Sequence, residues 1–515
     1  MWAGAQAPLY FFAAVPAYII ADLGGADHWV WFVTANLLAT AAISPFVGAL
    51  SDLVGRRSVA LIGSMAIIIG QVMCGAAQEM DVFIGGMAVS GIGTGICELT
   101  VLAGVSELVP ISRRGYYLAA VTLSIIPFLP SVLFAQLIAS NSSWRYIAVL
   151  TAGTAGLALA MAFVFYSPPL PIEHQERERG DKFGLIKRMD FVGGFLSIAG
   201  VAGIEIGLLG GGYQFPWTSA GVLAPLIVGA VLILCFIAWE IWGTAYPMIP
   251  KRVGKAPRTL LLTMVITFIS GANFFAVIMI WPSQAYNVYG HDPIGVGIRG
   301  LPFAFGTLAG CIVSLVLLSV LRGNIKWILF GASILMTAGC GGMAAARVDN
   351  INTVYGLLFL AGLGVGGIVV PASMVTTYIC PQDLIATITS LTITIRIIGG
   401  AVGYAVYYNV FANKLVPQLT KLVGGACVQA GITDEKMIGT IIKLTASSLT
   451  EKIRTLPGVD DAAWLKIVAA GQQAFANAYP WVYFCSLAFG CVAVIASSFL
   501  GDISEFVDDR VVVPI

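Results

Sequence analysis

The stretch that decides the fold reads Gly48-Ala-Leu-Ser-Asp52-Leu-Val-Gly55-Arg56-Arg57 and joins two long apolar segments. Gly48 and Gly55 permit a tight turn and close helix contact, because glycine lacks a Cβ atom. Asp52 can pair with basic groups, and the two arginines that close the stretch carry fixed positive charge. Basic residues at the end of an apolar segment are retained on the cytoplasmic side of a membrane. The stretch therefore predicts a cytoplasmic turn between two membrane-spanning helices.

The composition extends this prediction to the whole chain. Of its 515 residues, 58% are hydrophobic and only 10% are charged, whereas a soluble domain carries about 25% charged residues. The 27 basic and 26 acidic residues leave a net charge of +1, so there is no basic surface to neutralise nucleic-acid phosphates. Soluble and nucleic-acid-binding classes are excluded, and a polytopic membrane protein remains.

The sequence lacks the residues that a metal site, a cofactor site or an enzyme active site would need. Most of the nine cysteines lie within apolar runs and none forms a CxxC pair, which is typical of small packing residues. The three histidines, His28, His174 and His291, are far apart in predicted loops, so a multi-histidine site has no ligands. We therefore predict no cofactor, no metal and no enzymatic activity.

Fourteen apolar segments are long enough to cross a bilayer, for which a helix needs about 20 residues. Cutting the sequence at turn signals and charges places them at 2–21, 29–50, 59–77, 82–105, 116–139, 146–166, 191–209, 220–242, 260–281, 300–321, 327–346, 353–378, 384–411 and 482–500. The connections on the side of Arg56 hold fifteen basic residues, and the short connections on the other side hold three. The positive-inside rule then places both termini in the cytoplasm.

An internal repeat divides these segments into two groups of six. Two similar glycine-rich runs lie 271 residues apart, namely Ser90-Gly-Ile-Gly-Thr-Gly95 in the fourth segment and Ala361-Gly-Leu-Gly-Val-Gly366 in the twelfth. A proline follows each run at the same spacing, Pro110 after the first and Pro381 after the second. Repeated halves are common in transporters. The expected organisation is an N-terminal six-helix bundle, cytoplasmic linkers with two inserted helices, a C-terminal six-helix bundle and a cytoplasmic tail, at 1–166, 167–258, 259–500 and 501–515.

The C-terminal bundle includes a long exoplasmic loop at 412–480. Two groups of apolar residues recur there at helical spacing, namely Ile438, Ile441, Ile442 and Leu444, and then Ala462, Trp464, Leu465 and Val468. This spacing predicts short amphipathic helices over the exoplasmic mouth.

The opening stretch resembles the cytoplasmic signature of the major facilitator superfamily, G-x-L-a-D-x-x-G-R-[KR]. In that superfamily the signature acts as a latch between the two halves, which implies the latch residues Gly48, Asp52, Gly55, Arg56 and Arg57. The resemblance also implies an all-helical fold of two six-helix bundles around a central cavity, here with two inserted central helices.

Further segments resemble the larger drug:proton antiporters with fourteen spans and, closely, the fungal trichothecene efflux pump family. They lie at 107–115, 143–146, 297–303, 364–371, 395–400 and 407–411. Fungal siderophore-iron transporters are related to that family and share its plan. The resemblance therefore implies a transporter of organic compounds and leaves the direction of transport open.

Two segments depart from the drug antiporters that the chain resembles. Met87 stands where they carry an arginine in the fourth span, and Ile125-Ile-Pro127-Phe-Leu-Pro130 replaces their G-x-x-x-G-P motif in the fifth. Proton coupling through those two elements is therefore not expected here. The chain also begins almost at its first span, so we expect its natural N-terminus to precede Met1.

Four ionisable residues lie inside predicted spans, where each costs about 2.5–3.5 kcal/mol. Glu98 follows the glycine run of the fourth span, and we predict that it couples transport to protons, because a desolvated carboxyl can load and release a proton. The alternative is a neutral glutamate bonded to a backbone carbonyl. Glu205 lies on an inserted helix, which we expect to be peripheral, and Glu240 lies near the end of the other inserted helix.

Arg396 in the thirteenth span keeps its charge when buried, so it needs an acceptor, which is an anionic substrate, Glu98 or a helix end. A structural role is the alternative. Other cavity residues should be aromatic or amide side chains that suit a large, mostly apolar ligand, although packing or an interface belt also explains aromatic residues in spans. The predicted substrate cavity comprises Arg396, Gln136, Asn273, Phe275, Tyr404 and Tyr407.

These observations together predict a proton-linked secondary transporter of a bulky organic compound, with efflux of a toxin or drug of the mycotoxin type as the expected activity. Uptake of a ferric siderophore by proton symport is the alternative, and a non-transporting membrane sensor is a second one. The expected partners are a small organic substrate, protons and the lipid bilayer, and the expected state is a monomer. We expect the plasma membrane, with a vacuolar or vesicular membrane as the alternative.

Overall fold

The computed structural model describes residues 1–25, 28–110, 113–166, 190–211, 215–244, 247–248, 256–321, 325–381 and 384–501, apart from the side chains at 49, 52, 53, 107 and 108. Residues 167–189 of the predicted cytoplasmic linker and residues 502–515 of the predicted tail lie outside these residues. Within them the regular secondary structure is helical, and one isolated bridge joins Gly211 and Phe215. The all-helical fold class predicted from the sequence is confirmed.

The helices fall into a first half, an inserted pair and a second half. The first half contains α1 (Trp2–Phe12), α2 (Pro16–Leu23), α3 (Trp31–Val54), α4 (Arg56–Ala76), α5 (Met80–Leu108), α6 (Arg114–Leu123), α7 (Ser131–Asn141) and α8 (Arg145–Phe165). The inserted pair is α9 (Phe191–Gly210) and α10 (Ala220–Ala238). The second half contains α11 (Pro257–Tyr289), α12 (Pro293–Val320), α13 (Ile325–Gly342), α14 (Ile351–Val369), α15 (Pro371–Tyr378), α16 (Ile385–Gln429), α17 (Glu435–Ala446), α18 (Thr450–Arg454) and α19 (Asp461–Ser498).

The described helices give a slightly lower span count than the sequence predicts. Twelve of them are long and apolar enough to cross a membrane, and α1 with α2, bent by 64°, makes a thirteenth. The predicted fifth span is instead divided into α6 and α7 by a 3₁₀ turn at Ile126–Phe128. Pro127 and Pro130 account for this break, because proline cannot donate the backbone hydrogen bond that continues a helix. The predicted count of fourteen is therefore not confirmed.

Glycine contacts repeat between the two halves. The outer glycines of the α5 run, Gly91 and Gly95, lie against α3, and the middle one lies against α4. Gly362 and Gly366 of α14, 271 residues later, lie against α12, and the glycine between them lies against α13. Small residues allow membrane helices to approach this closely. The predicted internal repeat is therefore visible as the same set of helix contacts in both halves.

The two halves meet along two seams. We call the end of the molecule that carries Arg56 the Arg56 face, and we call the opposite end, which carries His291, the His291 face. On the first seam α3 packs against α16. Ser390 Oγ donates to the Ser44 carbonyl oxygen at 2.7 Å towards the Arg56 face. The rings of Trp29 and Tyr408 lie 5.9 Å apart towards the His291 face. The two halves therefore touch along this seam both near the Arg56 face and near the His291 face.

The second seam places α6 and α7 of the first half against α12 of the second. Gly115 lies against Ser319 towards the Arg56 face, and Gly297 lies against Leu133 towards the His291 face. Because both seams are in contact towards both faces, they bound a central space between the halves.

The inserted pair differs in how its two members are placed. Only 11% of the α10 span is buried within the protein, so α10 is peripheral as predicted. Helix α9 instead touches both halves, because Gly194 lies against Phe46 of α3 and Asn409 of α16 donates to the Leu208 and Gly211 carbonyl oxygens. The expectation that α9 and its Glu205 are peripheral is wrong, since this helix covers the first seam.

The loop region near the His291 face is more helical than predicted. The first predicted amphipathic helix is confirmed as α17. The second is wrong, because Trp464 and its neighbours belong to the first turns of α19, which begins at Asp461 and continues through Pro480 into the last span. The Asp460 side chain accepts from the Ala463 amide at 2.7 Å and begins this helix. Charged residues lowered the hydropathy of the segment without ending the helix.

Candidate transport site

The glycine run of α5 determines where Glu98 lies. Gly91, Gly93 and Gly95 bring α5 against α3 and α4, which leaves the next turn of α5 facing the space between the halves. Glu98 lies on that turn and is 1% exposed. The sequence motif thus acts through packing, and it positions a carboxyl group at the boundary between the halves.

A similar arrangement positions Arg396 on α16. Gly271 of α11 lies against the Arg396 backbone, and Gly399 of α16 lies against the backbone of α11 at Phe268. This close helix pair turns the Arg396 side chain towards the first half, where it is 4% exposed. The glycines that follow Arg396 in the sequence therefore determine the direction of its charge.

Glu98 and Arg396 form an ion pair that joins the two halves. Arg396 Nη2 donates to Glu98 Oε1, while Glu98 Oε2 and Arg396 Nη1 have no hydrogen-bond partner among the described residues. Three acceptors were possible for Arg396, and the structure shows Glu98. Among the described residues, no bond joins the Glu98 carboxyl to a backbone carbonyl, which was the alternative for that residue. The pair thus keeps one acceptor atom and one donor atom for a ligand.

The ion pair lines a central cavity between the halves. The cavity is mostly apolar, and its aromatic side chains are Trp2, Tyr10, Phe128, Phe274, Phe275, Trp281 and Phe303. Tyr10 of the first half and Phe274 of the second meet edge to face at 6.1 Å. The Tyr10 hydroxyl donates to Gln6 Oε1 at 2.8 Å. This arrangement provides a large apolar chamber with one charged pair and a few polar groups in its wall.

The other predicted cavity residues are divided among three environments. Phe275 lines the central cavity, whereas Gln136 and Tyr404 line a second cavity nearer the His291 face. Asn273 and Tyr407 line neither cavity, which corrects their predicted placement. The Tyr407 hydroxyl donates to Asn273 Oδ1 at 2.9 Å, and the Ser486 hydroxyl donates to the same oxygen at 2.8 Å. Both residues are buried in contacts between helices of the second half.

The predicted latch residues lie at the Arg56 face. Gly55 has a φ of +88°, which favours glycine at this turn. A Cβ at Gly48 would lie 3.8 Å from the Ala386 side chain of the second half. Arg56 lines a small space together with Gly48 and Ala386.

The remaining two latch residues give less information about contact between the halves. Arg57 points away from the second half, because its guanidinium donates to the Phe163 carbonyl oxygen of α8. The side chain of Asp52 lies outside the described residues. Among the latch residues whose side-chain surroundings are described, Gly48 lies next to Ala386 of the second half and Arg57 does not point towards it.

Sequence reasoning missed two features of this region. Tyr10 and Gln6 line the central cavity, but an unbroken apolar first span carries no signal for the face that points inward. Arg114 lies in a predicted connection between spans, yet it is fully buried and its Nη1 donates to the Thr377 carbonyl oxygen of the second half at 3.5 Å. How deeply Arg114 is buried depends on the residue at which α6 begins, and the sequence pattern does not define that residue.

Comparison with solved structures identifies the class of protein. The fold matches the human organic anion transporter MFSD10 (TETRAN) with a TM-score of 0.55 at 12% identity, over 95% of this chain and 97% of that one. It also matches the proton:xylose symporter XylE of the major facilitator superfamily with a TM-score of 0.54 at 14% identity, over 98% and 97% of the two chains. Both comparisons show that the chain has the fold of the major facilitator class.

The sequence relationships give the family. Residues 8–515 match the family described as the fungal trichothecene efflux pump, and the chain belongs to that family. It is 26% identical over 469 residues to the MFS-type efflux transporter ffsH of Aspergillus flavipes, covering 89% of this chain and 78% of the relative. It is 22% identical over 504 residues to the trichothecene efflux pump TRI12 of Fusarium sporotrichioides, covering 96% and 83%. The chain is thus an integral membrane transporter of the efflux type and not an enzyme.

Proposed function

We propose that the chain exports a bulky, mostly apolar organic compound of the mycotoxin type in exchange for protons, with Glu98 as the proton site. The observation that carries the proposal is the ion pair between Glu98 and Arg396, which crosses from one half to the other inside the cavity. A carboxyl that is both a cavity wall and a contact between moving halves can link proton binding to their motion.

The link follows from the charge of the pair. Two opposite charges attract strongly where water is excluded, so the pair stabilises the arrangement in which the halves are in contact. Protonation of Glu98 removes its charge, so the attraction between two opposite charges is replaced by a weaker hydrogen bond from the charged Arg396 guanidinium to a neutral acid. Separation of the halves on one side lets water and protons reach the carboxyl. Proton binding and closure of the halves therefore oppose each other, and this opposition is a coupling free energy between the two events.

The cavity wall supports an apolar cargo. Ligand sites for organic compounds are lined mostly by apolar and aromatic side chains with a few polar groups, and the wall of the central cavity has this composition. Its aromatic side chains offer stacking surfaces, and the spare donor atom of Arg396 can bind a carbonyl, ester or ether oxygen of the cargo. Two relatives carry efflux in their names, and the name of one states trichothecenes. These points favour a toxin over a ferric siderophore, which is a polar, oxygen-rich complex.

The proposal also assigns the sides of the membrane. The basic residues concentrated at the Arg56 face favour a cytoplasmic position for that face and for both termini. Under this assignment the Gly48 to Arg57 stretch is a cytoplasmic latch, the bundles extend over 1–166 and 259–500, and the monomer works in the plasma membrane. Export then moves cargo from the Arg56 face to the His291 face.

Transport by the full chain in proteoliposomes tests the proposal. Radiolabelled trichothecene should accumulate when the lumen is acidic, since export by antiport exchanges cargo against protons. Ferric siderophore uptake by symport would instead require an acidic exterior and would contradict the proposal.

Two glutamine variants locate the proton site in the same assay. Glu98→Gln should abolish the dependence of transport on the pH gradient, because the amide keeps the shape but cannot titrate. Glu205→Gln removes a buried carboxyl away from the cavity and should retain that dependence. If Glu98→Gln responds to the gradient as the unmodified protein does, Glu98 is not the proton site.

A further inference from the structure

The second cavity is separate from the central one. It lies towards the His291 face and draws its walls from α2, α7, α11, α16 and α19, together with the residues Ala446, Ser447 and Ser448 at the end of α17. Pro282 is the one residue that lines both cavities in the described part of the chain. The bend between α1 and α2 divides them, because Tyr10 before it faces the central cavity and Tyr18 after it faces the second.

The chemistry of the two cavities differs. No charged side chain lines the second cavity within the described residues, and its eight aromatic side chains are Tyr18, Trp29, Tyr286, Tyr404, Tyr408, Phe411, Phe475 and Tyr479. Phe411 and Tyr479 are stacked at 4.5 Å with an interplanar angle of 21°, and Phe475 is stacked on Phe411 at 6.1 Å. Parallel rings present flat faces, which favour flat, ring-containing ligands.

Gln136 adds one directional polar group to this wall. Its side chain is 3% exposed, and its Nε2 donates to the Ala14 carbonyl oxygen at 2.6 Å. A carbonyl oxygen can only accept, so this bond determines which end of the amide is which. Gln136 Oε1 is buried and meets no donor among the described residues. A buried acceptor without a donor is costly, and a ligand that donates a hydrogen bond would satisfy it.

The turn at the end of α17 closes the second cavity. Ser448 has a φ of +59°, a left-handed conformation that few residues other than glycine adopt. Its hydroxyl donates to Asn287 Oδ1 at 2.8 Å, and Asn287 Nδ2 in turn donates to the Ser283 carbonyl oxygen at 2.9 Å. This chain of bonds fastens the turn to α11, so a ligand in the cavity is covered on the His291 side.

We infer that the second cavity is a binding site for flat, ring-containing organic compounds that carry a hydroxyl or amine donor, with Gln136 Oε1 as their acceptor. Its use as the last stop of the cargo before release rests on the proposed function, because it assumes movement towards the His291 face. Binding itself does not depend on proton coupling. The two claims therefore fail separately.

Binding of two small probes to the full chain in lipid nanodiscs tests the inference. 1-Naphthol carries a donor, whereas 1-methoxynaphthalene has the same rings without it, and empty nanodiscs correct for partition into lipid. The unmodified protein should bind naphthol more tightly than the ether. Gln136→Leu should remove this preference, with a loss of about five- to tenfold for naphthol and little change for the ether.

A matched variant and a filling variant complete the test. Thr307→Val removes a hydroxyl from the wall of the central cavity and should keep the preference for naphthol. Ala17→Trp fills the second cavity from its rim and should weaken both probes more than about tenfold. The inference is overturned if Gln136→Leu retains the preference, if Thr307→Val abolishes it, or if Ala17→Trp leaves both affinities unchanged. If Gln136→Leu does not fold, the results for Ala17→Trp and Thr307→Val test the inference.

Discussion

Glu98 and Glu205 are both 1% exposed on membrane helices, yet their surroundings differ. Glu98 faces Arg396 across the boundary between the halves and lines the central cavity. Glu205 lies on the inserted helix α9, where neither of its carboxyl oxygens has a hydrogen-bond partner among the described residues. The two residues are equally buried. A counter-charge on the opposite half of the protein is the feature that distinguishes Glu98.

The difference has opposite energetic consequences. Removing one member of a buried ion pair costs about 3–5 kcal/mol, because the remaining charge loses its partner. A buried polar group without a partner already carries a penalty of about 1–3 kcal/mol. Changes at Glu98 or Arg396 should therefore destabilise the protein, whereas changes at Glu205 should stabilise it or have little effect.

The largest expected effect comes from Arg396→Leu. This substitution leaves Glu98 without a counter-charge, so the unfolding free energy should fall by about 3–5 kcal/mol and transport by at least about a hundredfold. Arg396→Lys keeps the charge, and because one hydrogen bond joins the pair, we expect it to retain about a tenth of the transport rate. Thermal unfolding in detergent and transport in proteoliposomes measure both effects.

The double variant Glu98→Gln with Arg396→Leu is the control for that experiment. It removes both charges together, so it should recover about 2 kcal/mol or more of the stability that Arg396→Leu loses, while transport remains insensitive to pH. Additive losses in the double variant would show that the two side chains act independently, and the comparison with Glu205 would then lose its basis.

A smaller effect on transport is expected from a substitution that loosens the packing between the halves at the second seam. A Cβ at Gly297 would lie 2.5 Å from the Leu133 backbone, whereas a Cβ at Gly300, one turn away on α12, would lie 3.3 Å from the Val132 side chain. Gly297→Ala should therefore hold the halves apart towards the His291 face and reduce transport about tenfold, whereas Gly300→Ala should be tolerated. Equal rates for the two variants would mean that contact at this seam does not limit transport.

The smallest expected effect is at Glu205. Glu205→Leu should raise the unfolding free energy by about 1–3 kcal/mol, because it removes a buried carboxyl that lacks a partner. Transport and its pH dependence should remain within about twofold of the unmodified protein. A large loss of transport with unchanged stability would assign a function to α9 and would weaken the distinction from Glu98.

Much of the fold was predictable because it depends on local and periodic signals. Long apolar segments, the 271-residue repeat and the latch stretch with its Gly48 and Gly55 are all visible in the sequence. Glu98 and Arg396 were identified as exceptions in apolar segments, since a charge in a span is costly. Their pairing was one alternative among several, because the two residues lie 298 positions apart and only helix packing brings them together.

The parts that were missed depend on rotation and register. Asn273 and Tyr407 lie on cavity-forming helices, but each faces another helix of the second half. Gln136 and Tyr404 were assigned to the central cavity and line the second one, because the depth of a side chain along a span follows from the start of its helix. An apolar helix with little amphipathic contrast carries no signal for which face points inward.

The central claim, that proton binding at Glu98 opposes closure of the halves, is tested most directly by measuring the protons released when cargo binds and the halves close around it. Trichothecene is added to the purified full chain in weakly buffered detergent solution that contains a pH-indicator dye. The unmodified protein and Glu205→Gln should each release up to about one proton per cargo bound, because closure of the halves favours charged Glu98. Glu98→Gln should bind cargo and release none. Proton release from Glu98→Gln equal to that of the unmodified protein would contradict the account.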